Sequence, residues 1–297
     1  MIKTSAPGSL IMFGEHSVLR KKHAIVLALQ KRIFIELEQN KTKKINIVSS
    51  LAHYSATIGN IVVEPPFQYV LQTLKNFSPS TGLDIKIISE MSSDMGFGTS
   101  AAVVVALLGG LMTLRKQNLN GVFGNALKVV LKVQERGSGA DIMASLKGGI
   151  GLYQSSSFIY QPLSLGVNLF GVYSGIKTPT PQVIQYVRKK FSSYPNILHG
   201  LDEANEILTL EVIKHLDNSY KLGDLFNMSA GLMEAFGVSN DHLSNFLWGL
   251  RKQSYGVKLS GSGLGDCAIG VVRKGVYPEG SFPIKLAQQG LLVESYD

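Results

Sequence analysis

The stretch Ser89-Glu-Met-Ser-Ser-Asp-Met-Gly-Phe-Gly-Thr-Ser-Ala-Ala-Val-Val-Val-Ala-Leu-Leu-Gly-Gly-Leu-Met112 decides how the rest of the chain reads. A polar turn at Ser92 to Thr99, carrying Gly96 and Gly98, runs into the small residues Ser100, Ala101 and Ala102. An apolar segment follows that reads as a buried helix. This is the sequence form of an anion cradle. The first amides of a helix have no partner inside it, the macrodipole leaves about half a positive charge there, and glycines let a phosphate approach the backbone closely. Ser100 could give a hydroxyl to a metal ion or a phosphate oxygen, whereas Thr99 or Ser100 could instead simply cap the helix. A plain loop before a core helix is the other reading, since a lone glycine motif is weak evidence. No Gly-Lys-Ser/Thr follows the glycines, so this is not a P-loop, and the apolar run falls short of the ~20 residues that span a bilayer.

Outward from this stretch, 297 residues give room for one large or two modest domains. A hydrophobic share of 45% against 17% charged describes a globular chain and excludes disorder. The single cysteine, Cys267, excludes an intrachain disulfide and fits a reducing compartment as a buried thiol. The opening Met-Ile-Lys-Thr-Ser-Ala-Pro-Gly has no basic segment followed by an apolar one, so no signal peptide is visible and a cytoplasmic location is expected. A net charge of +8 suits acidic partners. The basic residues are scattered, with short groups at Lys41 to Lys44 and Arg188 to Lys190, and no aromatic-rich strand motif accompanies them. Small phosphates and carboxylates are therefore the expected partners, with neither nucleic acid nor membrane. The sequence leaves the oligomeric state open, a homodimer included.

Alternation and turn signals predict strands at Ile2 to Ala6, Leu10 to Phe13, Ala28 to Glu38, Lys44 to Ser49, His53 to Ile58 and Leu83 to Ser89, with a helix over Phe67 to Asn76. A helix over Asn120 to Gln134, a second glycine-rich turn and a strand over Gly148 to Gln154 follow. The composition changes at Ser155-Ser156-Ser157, which places a domain boundary there, dividing 1–155 from 156–297. Beyond it the pattern predicts a strand at Leu169 to Tyr173 and helices near Pro181 to Phe191, Asn196 to Leu216, Leu222 to Phe236 and Asp241 to Lys252. Strands at Gly256 to Leu259 and Ala268 to Val272 come next, then a final helix and a strand ending at Glu294. This order is α+β rather than doubly wound.

Two further glycine motifs flank the cradle. The first is Ala6-Pro7-Gly8-Ser9 with Gly14-Glu15-His16-Ser17-Val18-Leu19, which puts Glu15 and His16 just after a strand, where polar side chains can face a cleft. The last is Lys258-Leu259-Ser260-Gly261-Ser262-Gly263-Leu264-Gly265-Asp266-Cys267, a strand breaking into a loop with glycine at three alternate positions. Between them lies Glu135-Arg136-Gly137-Ser138-Gly139-Ala140-Asp141. Its glycines would let Asp141 reach a cleft and take a proton from a hydroxyl, or Asp141 could cap a helix.

In this order and spacing the motifs resemble the GHMP kinase superfamily over nearly the whole chain. Gly14 to Leu19 with His23-Ala24-Ile25 look like mevalonate kinases, while Gly137 to Asp141 and Gly265-Asp266-Cys267 look more like phosphomevalonate kinases. The resemblance implies a two-domain kinase with a ribosomal-protein-S5-like N-terminal half and a ferredoxin-like C-terminal half. It implies ATP on Ser93, Met95, Gly96, Gly98, Thr99, Ser100, Ala101, Gly261 and Gly263, and Mg²⁺ on Ser100. Asp141 matches the family's proton acceptor, and Glu15 and His16 match substrate-binding positions. Ser262 lies in the loop that closes over the substrate. The carboxylate of mevalonate needs a cation, for which Arg136 and Lys3 are candidates.

Two departures stand out. The family's first motif usually ends in lysine beside the catalytic aspartate, where this chain has Ser9; Lys3 or Lys258 could stand in. The magnesium-binding glutamate of mevalonate kinases is replaced by Val129, Val130 and Leu131, which leaves Glu135 as the nearest carboxylate and the expected second ligand. The leading expectation is ATP-dependent phosphorylation of the primary hydroxyl of mevalonate. Phosphomevalonate as substrate and a non-catalytic ligand-binding scaffold, suggested by Ser9, are the alternatives.

Overall fold

The computed structural model describes residues 1–92 and 95–295. The chain builds two sheets. The first, of eight strands, has the order β12-β1-β2-β5-β3-β4, formed by Leu292–Ser295 (β12), Ile2–Phe13 (β1), His23–Asn40 (β2), Gly82–Ser89 (β5), Lys44–Ser49 (β3) and His53–Thr57 (β4). Its remaining strands, Ile150–Gln154 (β6) and Ile159–Leu163 (β7), branch from the first half of β2. All pairings are antiparallel except β3 with β5. The second sheet is antiparallel, in the order Phe282–Pro283 (β11), Leu169–Tyr173 (β8), Cys267–Val272 (β10) and Ser254–Leu259 (β9). The expected α+β class is observed.

The helix read from the opening stretch, α2 (Thr99–Leu114), is apolar all round because it is enclosed all round. It packs on β1 and β2 and is covered by α1 (Gln68–Phe77) and α3 (Val122–Gln134). Thr4 Oγ1 on β1 donates to the Ala106 carbonyl at 2.8 Å, so even its polar contact with the sheet is internal. Helix α4 (Ala140–Lys147) lies beside it against β1. In the second half, α7 (Ser219–Phe236) and α8 (Asp241–Arg251) pack on β9, while α6 (Pro195–Val212) reaches across to β2.

Several expectations change. The strands separated at Ile2–Ala6 and Leu10–Phe13 are one continuous strand, because the pairing with β2 absorbs Gly8 in a register shift between Pro7 and Ser9. Helix α4 stands where a glycine turn was expected. Among the described residues no helix forms between β10 and β12, where one was expected. Instead Gln30 N donates to Lys285 O, Ala287 N to Ala28 O and Gly149 N to Ala287 O, so this segment spends its backbone groups on the first sheet. The expected boundary at 155 falls between β6 and β7, which pair with each other, and β12 returns to β1. The division by hydrogen bonding thus follows the sheets rather than one cut in the sequence.

Candidate active site

Two helix N-termini and two loops meet at one cleft of roughly 670 Å³, open to solvent. Helix α2 contributes Ser100 and Ala101, the approach to α4 contributes Arg136 to Gly139, and α4 itself contributes Asp141 and Ile142. Glu15 and His16 come from the loop after β1, and Gly261 and Ser262 from the loop between β9 and β10. Ile11, Val18, Leu19, Val130 and Ile184 supply an apolar wall.

The turn into α2 takes the geometry its glycines allow. Gly98, at φ 62°, is the residue that turns the chain into α2, and neither Thr99 nor Ser100 caps the helix. A side chain at Gly98 would be strained at that φ and would put its Cβ 2.0 Å from Ser9 Oγ. Ala101 N and Ala102 N both donate to the Gly98 carbonyl at 3.1 Å, so the amides of Thr99 and Ser100 are the first-turn donors at the positive end of the dipole that an anion would meet. Gly96 packs against the Asp266 side chain, Met95 is partly buried, and Ser93 lies outside the described residues.

Asp141 is the second residue of α4, whose N-cap is Gly139, so the capping alternative does not hold. Gly139 is held from below, because Tyr153 donates its hydroxyl to the Ser138 carbonyl at 2.7 Å and its oxygen sits 2.9 Å from where a Cβ on Gly139 would be. Burial pushes the Asp141 carboxyl above the ordinary range, and the Ser9 hydroxyl, donating to Oδ1 at 2.8 Å, pulls it back. Ser9 itself therefore meets Asp141. Neither lysine stands in: Lys3 pairs with Glu36 on the sheet at 3.3 Å, and Lys258 is wholly buried in an ion pair with Glu15. Burial drives Glu15 up and Lys258 down, toward their neutral forms, and their attraction opposes both shifts.

His16 is buried and stacked on Phe236 at 5.5 Å, and burial lowers its pKa to about 4. It is neutral at pH 7. Its Nε2 lies 2.8 Å from the Ser262 carbonyl, which can only accept, so that nitrogen carries the proton. Ser262 Oγ is buried without a protein partner among the described residues. Gly261 lines the cleft, but Gly263 packs against the Val238 carbonyl, which also accepts from Leu264 N at 2.7 Å. Arg136 is exposed at the rim of the cleft. Glu135, at the end of α3, is exposed too and is not among the lining residues.

The sequence reading missed Ser9 as a partner of the base, and it missed Tyr153, Thr180 and the clamp behind Glu15. In that clamp Asp202 on α6 accepts from Ser17 Oγ at 2.8 Å and pairs with Arg20, and Asn205 donates to the Glu15 carbonyl at 2.9 Å. The departure at position 9 was the available signal for the first. Nothing in the sequence linked α6 to residues 15 to 20.

An amide-lined helix start facing a partly shielded carboxylate is the arrangement of a small-molecule phosphotransferase. The family described as GHMP kinases N terminal domain matches residues 60–149. A mevalonate kinase of Archaeoglobus fulgidus is 29% identical, covering 98% of this chain and 99% of its own. One from Pyrococcus furiosus is 30% identical over 89% of this chain and 86% of its own. The crystal structure of Methanococcus jannaschii mevalonate kinase superposes with a TM-score of 0.76 at 20% identity, covering 92% of this chain and 91% of that one. The chain belongs to the GHMP kinase family, on the branch of the mevalonate kinases.

Proposed function

We propose that this enzyme transfers the γ-phosphoryl group of ATP to the primary hydroxyl of mevalonate, giving 5-phosphomevalonate and ADP in the mevalonate route to isoprenoids. The observation that carries the reading is that Ser100 and Ala101, at the start of α2, line the same cleft as Asp141. The first-turn amides of α2 hold the phosphates. Asp141 accepts the proton of the attacking hydroxyl, and burial, by raising its proton affinity, makes it a better acceptor than an exposed carboxylate. The substrate oxygen bonds to the γ-phosphorus as the bond to ADP breaks, and positioning with charge neutralisation supplies most of the acceleration.

Mg²⁺ fits this donor set as the companion of the nucleotide. Among the described residues no group of three or more His, Cys, Asp or Glu side chains could cage a metal. Mg²⁺ commonly keeps several waters and takes one or two protein groups plus phosphate oxygens. The Ser100 hydroxyl is the protein group placed for it, while Glu135 stands outside the lining residues and serves at most through water. When bound, the ion neutralises charge on the phosphoryl oxygens.

Charge favours mevalonate over phosphomevalonate. Among the described lining residues Arg136 is the one lysine or arginine, and the Glu15 carboxyl is already paired with Lys258. That inventory suits a substrate with one carboxylate and a methyl group facing Ile and Val side chains, with Arg136 as its counter-ion and His16 and Ser262 at its hydroxyls. A phosphorylated substrate would bring added negative charge with no second cation to meet it. The buried single cysteine suits work in the reducing cytoplasm. Among the described residues no helix is long and apolar enough to cross a membrane.

Coupled ADP release with mevalonate and phosphomevalonate side by side, in ATP and Mg²⁺, tests the assignment. We expect kcat/KM to favour mevalonate by at least about tenfold. A preference for phosphomevalonate, or no ADP with either, contradicts it.

A further inference from the structure

The Asp141 carboxylate has one hydrogen-bonding partner among the described residues, the Ser9 hydroxyl, which reaches Oδ1 from 132 positions away in sequence. Burial raises its proton affinity and this bond lowers it. The charged groups nearby are accounted for. Glu15 is tied to Lys258, His16 is neutral, Arg136 stands exposed at the rim, and Lys147 lies at the far end of α4. Helix α2, packed alongside, has no charged side chain at all.

Ser9 does more than touch the base. It is 1% exposed, its amide donates to the Phe97 carbonyl at 2.9 Å, and its Oγ sits under Gly98, where a Cβ would come within 2.0 Å. One small side chain thus joins β1, the turn that opens α2, and the carboxylate on α4.

We propose that Ser9 is the positioning residue of the base: its hydroxyl takes up Oδ1, leaves Oδ2 as the oxygen that receives the substrate proton, and fixes that oxygen relative to the amides of α2. The inference rests on Asp141 as the base. In the transfer, the substrate O–H bond breaks, its oxygen bonds to phosphorus, the bond to ADP breaks, and the proton passes to Oδ2. Ser9 keeps its own proton throughout. A neutral donor holds the carboxylate without adding charge beside the phosphates, and it favours the ionised form less than a cation would.

The test is the pH profile of kcat/KM for mevalonate in the wild type, Ser9→Ala and Ser9→Thr. The bond stabilises ionised Asp141, so removing it raises the proton affinity and moves the acid limb upward. We expect a shift of roughly one pH unit in Ser9→Ala, about a tenfold loss on the acid side, with recovery toward wild type at alkaline pH and an unchanged KM for ATP. Ser9→Thr, which keeps the hydroxyl, restores the limb. Any contribution from ionisation of the nucleotide is common to all three proteins. An unmoved limb, or an equal loss at every pH, overturns the inference while leaving the kinase assignment standing. Absence of mevalonate turnover in the wild type overturns both.

Discussion

His16 shows how far one residue's surroundings can depart from what its type suggests. A Glu-His pair after a strand reads as two polar groups facing a cleft. The structure does place both at the cleft, yet His16 is also a core residue, 5% exposed, stacked on Phe236 and held neutral by burial. The consequence for stability has a definite sign. Its folded pKa of about 4 lies below the ordinary 6.5, so between those values the unfolded chain binds the extra proton. Stability from this group is present above pH 6.5 and drains away as pH falls toward 4, by about 3 kcal/mol in all. His16→Asn should remove much of that acid dependence, because Asn has no group that takes up a proton in this range. Urea midpoints at pH 7 and pH 4.5 check it, and an equal drop in variant and wild type would count against a neutral buried imidazole. The nearness of position 9 to Asp141 was implied by the family resemblance, but the hydrogen bond from Ser9 to Oδ1 was not legible, since only the packing of α4 on β1 sets its geometry.

At the scale of elements, periodicity carried furthest where an element's environment is uniform. Helix α2 is apolar on every side and was legible as a buried helix, although it starts at Thr99, inside the turn expected over Ser92 to Thr99, with Gly98 rather than Thr99 or Ser100 as its cap. Strands β3 and β8 have the bounds that alternation gave them. Strand β7 was not read because Pro162 argues against a strand, and it is tolerated here on an edge that pairs only with β6. Helix α4 was obscured by the glycines ahead of it, which are in fact its entry turn. The turn into α2 gives the sharpest prediction. Gly98→Ala places a methyl against Ser9 Oγ at a left-handed φ, costing about 1–3 kcal/mol of stability. It also pushes the hydroxyl off Asp141. Its pH profile should therefore move in the same direction as that of Ser9→Ala, with weaker nucleotide binding in addition. Calorimetric titration with an ATP analogue beside the kinetic profile separates the two effects, and an unaltered profile would show that Ser9 and Gly98 are not coupled.

The whole molecule explains why the site needs both halves. Asp141 and the start of α2 come from the helices on the first sheet, but the loop carrying Glu15 and His16 is gripped by Asp202 and Asn205 of α6. The loop of Gly261 and Ser262 hangs from β9 and β10. The buried pair of Glu15 and Lys258 crosses the same junction. Composition suggested a cut at 155, between two strands that pair with each other, and the return of β12 to β1 was not legible, because four residues carry too little pattern to name their partner. Across this junction the account makes one claim, that Asp141 faces the phosphates held at the start of α2 and takes the proton there. Single-turnover transfer from ATP to mevalonate, wild type against Asp141→Asn, with nucleotide affinity measured on the same samples, tests it most directly. The account predicts an affinity within about threefold of wild type and a chemical step slower by at least about a hundredfold. An undiminished chemical step in Asp141→Asn would contradict it.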